Sequence, residues 1–165
     1  MREVDVRHPV EGDLLGRHFT VTGLSTAFEG TVAWHLEDER GTRLQEGSFQ
    51  GGSMGVFAEF SGEVTLDAAI SRPMPATLVV YGDNPALPDG ESPGISTNRV
   101  PVVLVPGMQG FVLHDVERGD TLSRIARDGD HGPSSVAAIV AANPGLIEDP
   151  DHIEVGWQLR VPLLS

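Results

Sequence analysis

The run Phe111-Val112-Leu113-His114-Asp115-Val116, followed after a Gly-Asp turn by Thr121-Leu122-Ser123-Arg124-Ile125-Ala126, is where the chain changes its period. Residues 111–116 suit a strand. From 121 onward Leu122, Ile125 and Ala126 fall on one helical face. Asp120 is a suitable N-cap for that helix, because a carboxylate can accept the backbone N–H groups left without partners in a first turn. A second helix is predicted over 134–142, opened by Pro133-Ser134, with Val136, Ile139 and Val140 as its inner stripe. Asn143-Pro144-Gly145 ends it, and Trp157-Gln158-Leu159-Arg160-Val161-Pro162 reads as a closing strand. The order is strand, helix, helix, strand.

Upstream the spacing is different. Val32-Ala33-Trp34-His35-Leu36-Glu37 alternates apolar and polar positions, as do Phe60 to Leu66, Thr77 to Tyr81 and Val100 to Leu104. A two-residue period turns one face to a core and the other to water. Clusters such as Glu39-Arg40-Gly41, Gly51-Gly52-Ser53 and Gly82-Asp83-Asn84-Pro85 separate these runs. Six or seven short strands over about a hundred residues read as an antiparallel sandwich, with Trp34 as a core anchor. The loop from Gly82 to Asn98 is long for a hairpin. Val105-Pro106-Gly107-Met108-Gln109-Gly110 reads as a short connection between the two parts.

Composition narrows the functions. In 165 residues, 39% are hydrophobic, which is too apolar for a disordered chain. Twenty-four acidic residues face 11 basic ones, all arginine, for a net charge of -13. With so acidic a chain no grip on nucleic-acid phosphates is expected, nor docking on an anionic membrane. The absence of lysine removes Schiff-base chemistry and a P-loop lysine. The absence of cysteine removes thiolate metal sites, disulfides and thiol nucleophiles. The longest apolar run, Val100 to Val105, is broken by Pro101 and far short of the ~20 residues of a spanning helix. Met1-Arg2-Glu3-Val4-Asp5 lacks the apolar core of a signal peptide.

The segment Val116 to Ala126, with Ile139-Val140-Ala141-Ala142-Asn143-Pro144 and Val155-Gly156-Trp157-Gln158-Leu159-Arg160-Val161-Pro162, resembles a LysM domain. The resemblance implies a βααβ module that binds N-acetylglucosamine-containing glycans such as peptidoglycan or chitin. Val10 to Gly16, Thr22-Gly23, Ala27-Phe28-Glu29-Gly30-Thr31-Val32 and the Pro101-Val102 ending resemble the immunoglobulin-like domain of bacterial sporulation and germination proteins. The expected architecture is therefore an all-β immunoglobulin-like sandwich over 1–106, a linker at 107–110 and a small α+β LysM module over 111–165. The resemblances imply an extracytoplasmic or wall-associated place. The lack of a leader in the given chain leaves a cytoplasmic one open.

In LysM relatives the sugar lies in a shallow groove between two loops. By motif position these are Gly119, Asp120, Thr121 and Leu122, then Asn143, Pro144, Gly145, Leu146 and Ile147, with Ile153 closing the groove. Backbone groups there can pair with an acetamide, while Leu146 or Ile147 packs its methyl. A turn and a helix cap would need the same Gly-Asp-Thr-Leu residues. Two inserts lengthen this copy: Asp128-Gly129-Asp130-His131-Gly132-Pro133 between the helices, and Glu148-Asp149-Pro150-Asp151-His152 in the second loop. The second carries three carboxylates and should repel anionic wall polymers at low salt. Asp128, Asp130 and His131, or Asp149, Asp151 and His152, invite a cation, but they lack the oxygen spacing of a calcium loop. No resident metal or cofactor is expected. Trp157 is expected to pack rather than to form a sugar platform.

Gly51-Gly52-Ser53-Met54-Gly55 formally fits the nucleophile pattern G-x-S-x-G, yet the alternation after it argues for a loop between strands rather than a strand-to-helix elbow. No catalytic residues are expected. The chain reads as a non-catalytic wall-glycan binder, with a protein partner open to the sandwich. The alternative is an assembly scaffold whose LysM fold binds no sugar.

Overall fold

The computed structural model describes residues 4–82, 97–128 and 132–165. The long loop after Gly82 and the grouping of Asp130 and His131 fall outside the described residues. Two compact units emerge. One comprises Met1–Asp13, His18–Ile70 and Pro75–Val102, the other Leu14–Arg17, Ser71–Met74 and Val103–Ser165.

The strands before residue 105 are β1 (Val4–His8), β2 (Leu14–Leu15), β3 (His18–Ala27), β4 (Thr31–Glu37), β5 (Arg43–Gln50), β6 (Gly52–Ser53), β7 (Ala58–Thr65), β8 (Met74–Gly82) and β9 (Asn98–Leu104). In one sheet β3 lies between β1 and β7, both antiparallel to it, while β6 runs parallel to its far end. The other sheet has the order β2-β9-β8-β4-β5. Both sheets follow the two-residue period. Phe19 and Val21 on β3, and Val32, Trp34 and Leu36 on β4, are buried, while their neighbours are more open.

An aromatic stack runs through this core. The rings of Trp34 and Phe49 lie 5.8 Å apart and nearly parallel, and Phe49 and Phe60 continue the stack at 6.0 Å. Glycines make room for it. Gly47 is the cross-strand partner of Trp34, and a Cβ there would come within 2.8 Å of the indole. At Gly62 a Cβ would come within 2.0 Å of the Phe49 ring. A strand glycine in such a place marks close approach of a neighbouring group rather than weakness in the strand.

The second unit holds β10 (Met108–Asp115), α1 (Leu122–Asp128), α2 (Val136–Ala142) and β11 (Gln158–Leu164). β10 and β11 pair antiparallel, with Val112 opposite Val161 and His114 opposite Leu159. The core joins Val116, Leu122, Ile125, Ala126, Ile139, Ile147, Leu159 and Val161, so both helices and β11 bury their apolar sides in one cluster. A second cluster collects Val103, Val105 and Ala138, with Leu14, Met108, Ala141 and Leu164 against it.

Several local expectations shift. β10 begins at Met108 rather than Phe111, because Met108 is drawn into the second cluster and pairs with Leu164. α2 begins at Val136, one turn-position after Ser135, whose Oγ accepts the Ala138 N–H at 3.1 Å. Thr121, not Asp120, caps α1: its Oγ1 accepts the Arg124 N–H at 3.2 Å. Either residue type can cap a helix, and Asp120 is engaged elsewhere.

Gly62→Ala should cost about 1–3 kcal/mol, since the Phe49 ring would have to leave its place. Gly110→Ala, where nothing lies within 4 Å of an added Cβ, should stay within about 0.5 kcal/mol of the parent. Urea melts with unchanged slope would check both. A fragment of residues 103–165 should withstand more urea than one of 111–165, because Val103, Val105 and Met108 supply much of the second cluster.

Candidate functional site

The first expected loop is a tight turn closed by Asp120. Its Oδ2 accepts the Glu117 N–H at 2.9 Å and lies 2.9 Å from His114 Nε2. The Glu117 N–H, and after it the His114 ring, hold the Asp120 carboxyl below the usual carboxylate range. Gly119 sits at a φ of 93°, a backbone state that glycine alone adopts without strain. Thr121 is exposed, and Leu122 is 2% exposed within the core.

The second loop hangs from Asn143, which is 5% exposed. Its Nδ2 donates to the carbonyls of Ile139 at 2.7 Å and Arg160 at 2.8 Å. Its Oδ1 accepts the Arg160 N–H at 2.8 Å. The amide is thus fully used inside the fold, tying the end of α2 to β11. Its backbone carbonyl accepts from Leu146 and Ile147 and rolls the loop back on itself. Ile147 enters the core, Leu146 and Ile153 pack partly buried against it, and Pro144 and Gly145 face solvent.

Beyond this loop the acidic insert folds as a turn, with Asp149 Oδ1 accepting the Asp151 N–H at 2.9 Å. His152 Nε2 lies 3.5 Å from Glu154 Oε1. Gly156 donates to the Val116 carbonyl at 2.9 Å and Val116 donates to that of Trp157 at 2.7 Å, so the end of β10 fixes the Trp157 turn. The result is an open depression of about 440 Å³ lined by Gly145, Leu146, Glu148, Asp149, His152, Glu154 and Trp157.

Of the residues expected at the groove, Gly145 and Leu146 line this depression. Gly119, Asp120, Thr121, Leu122, Asn143, Pro144, Ile147 and Ile153 do not. Glu148, Asp149 and His152 join it from the insert expected to repel, Trp157 from a position expected to pack, and Glu154 from a position the sequence did not single out. The signal for them was the aromatic residue at the end of a long acidic turn. Trp157 does both things: it packs against the core and lines the depression.

Among the described residues, no group of three or more His, Asp or Glu side chains is arranged to hold a metal ion. Ser53 lies on the two-residue β6, and strand β7 follows rather than a helix, so the Gly51–Gly55 run has no nucleophile-elbow setting.

Two family models match the chain. One, described as the immunoglobulin-like domain of bacterial spore germination, covers residues 3–90. The other, the LysM domain, covers residues 114–162 and so contains the whole depression. Comparison with curated proteins gave no match.

Asn143→Ala should destabilise the second unit by about 1–3 kcal/mol, since the buried Ile139 carbonyl and the part-buried Arg160 backbone groups would lose this partner. Asp120 gives a pH signature. Its lowered folded value means that its contribution is complete above the ordinary value of 3.8 and is lost as pH falls through the folded one. Thermal melts from neutral pH to below that value should show a loss that Asp120→Asn flattens.

Proposed function

The chain belongs to the family of immunoglobulin-like domains of bacterial spore germination and carries a LysM domain behind that domain, and from this we propose that it binds cell-wall glycan. LysM and immunoglobulin-like domains are typically non-catalytic binding modules, and such germination-related and LysM domains are typically extracellular or wall-associated. Among the described residues no helix is long and apolar enough to cross a membrane.

The ligand is an N-acetylglucosamine-containing polymer, peptidoglycan or chitin-like. The observation that carries this is the depression in the LysM segment, where Leu146 and Trp157 present apolar surface beside the exposed Gly145. An acetamide methyl can lie against Leu146, and a pyranose face against Trp157. Glycine at 145 keeps the backbone open to close approach, and no protein atom lies within 4 Å of where its Cβ would stand.

An open depression buries little of a single sugar, so affinity for short oligomers is weak and grows with length until the surface is covered. A second reading, an assembly scaffold, draws on the first unit. There Met54, Val56 and Phe57 are 83%, 67% and 40% exposed on the turn from β6 to β7, an apolar tip of the kind that protein partners cover.

Titration with N-acetylglucosamine oligomers of increasing length tests the glycan reading. Affinity should rise with length, and Leu146→Asp should lower it at least tenfold, whereas Leu146→Met should nearly preserve it. Binding to anionic peptidoglycan should improve as salt rises from low values, and neutral oligomers should show little of that dependence. A folded sample that binds neither would favour the scaffold.

A further inference from the structure

We propose that the depression selects glycan carrying free amines, that is, glucosamine units without their acetyl groups among acetylated ones. The inference rests on the glycan reading above and concerns the charge of the ligand. Leu146 and Trp157 give the depression its apolar lining, and Glu148, Asp149 and Glu154 line the same depression. His152, beside Glu154, is the one lining side chain able to carry positive charge.

Among the described residues none of the three carboxylates is paired with an arginine, although arginines elsewhere in the chain do pair, as Arg43 does with Glu46. Three negative groups lining one concavity add their fields on whatever enters it. The overall charge of -13 has the same sign. An acetamide carries no net charge for this field to attract, and a stem-peptide carboxylate is repelled. A protonated sugar amine is attracted, and its three N–H donors can meet carboxylate oxygens in charge-assisted hydrogen bonds. Removal of one acetyl group leaves the neighbouring acetamides free to use Leu146. A mixed polymer therefore satisfies the apolar and the acidic lining together.

The test compares the full chain's affinity for an N-acetylglucosamine tetramer with that for a half-deacetylated tetramer, by calorimetry near neutral pH. At about 0.01 M salt the half-deacetylated tetramer should bind about three- to tenfold tighter, and the advantage should shrink toward parity at about 0.15 M. In a Glu148→Gln, Asp149→Asn, Glu154→Gln variant the ratio of the two affinities should fall to about one. Equal or tighter binding of the acetylated tetramer at low salt would overturn this inference and leave the glycan reading standing. An advantage that survives the triple variant would likewise overturn it, because the amine would then be read elsewhere. Failure of both tetramers to bind would remove the glycan reading and this one with it.

Discussion

The Asn143 amide is the joint on which the second unit turns. Its donors and acceptor close on Ile139 and Arg160, so the end of α2 and the middle of β11 are held at hydrogen-bond distance by one buried side chain. From that fixed point the loop folds back, Ile147 drops into the core, and Leu146 is left half-covered at the surface. A serine or aspartate could not do this, since the position needs two donors and an acceptor on one planar group. The depression thus depends on a residue that does not line it.

In the first unit the corresponding constraint is steric. Three stacked aromatic rings occupy space that two glycines leave empty, and the strands carrying Gly47 and Gly62 can come close only because those positions lack a side chain. The sandwich and the LysM unit are therefore organised by different means: ring packing over missing side chains in one, a saturated polar joint in the other. Neither involves a disulfide, since the chain has no cysteine.

The parts of the fold legible in the sequence were those set by local period. Alternation in β4 and the helical faces of α1 and α2 are properties of a few consecutive residues, and they appear where the spacing put them. Choices between equivalent residues were not legible. Asp120 and Thr121 are both good caps, and only the His114 ring and the Glu117 N–H, brought near by the turn, take the aspartate away. The start of β10 was hidden for a related reason: Pro106-Gly107 reads as punctuation, while the burial of Val105 and Met108 depends on Ala138 and Leu164, far along the chain. At the candidate site the motif pointed to two loops and Ile153, and of those residues only Gly145 and Leu146 line the depression. The rest of the lining comes from residues between Glu148 and Trp157, and the Trp157 turn is held by backbone bonds between Val116 and residues 156–157, far apart in sequence.

The two tryptophans of the chain stand in contrasting surroundings, Trp34 at 5% exposure stacked on Phe49 and Trp157 half-buried in the lining of the depression. Each unit consequently carries its own intrinsic fluorophore. Trp34 emits from an apolar interior and is sheltered from dissolved quenchers, whereas Trp157 meets water and shifts or quenches when something settles over it. Without any label, the emission of one chain separates the melting of the sandwich from events at the LysM surface, and a Trp34→Phe chain isolates the second signal.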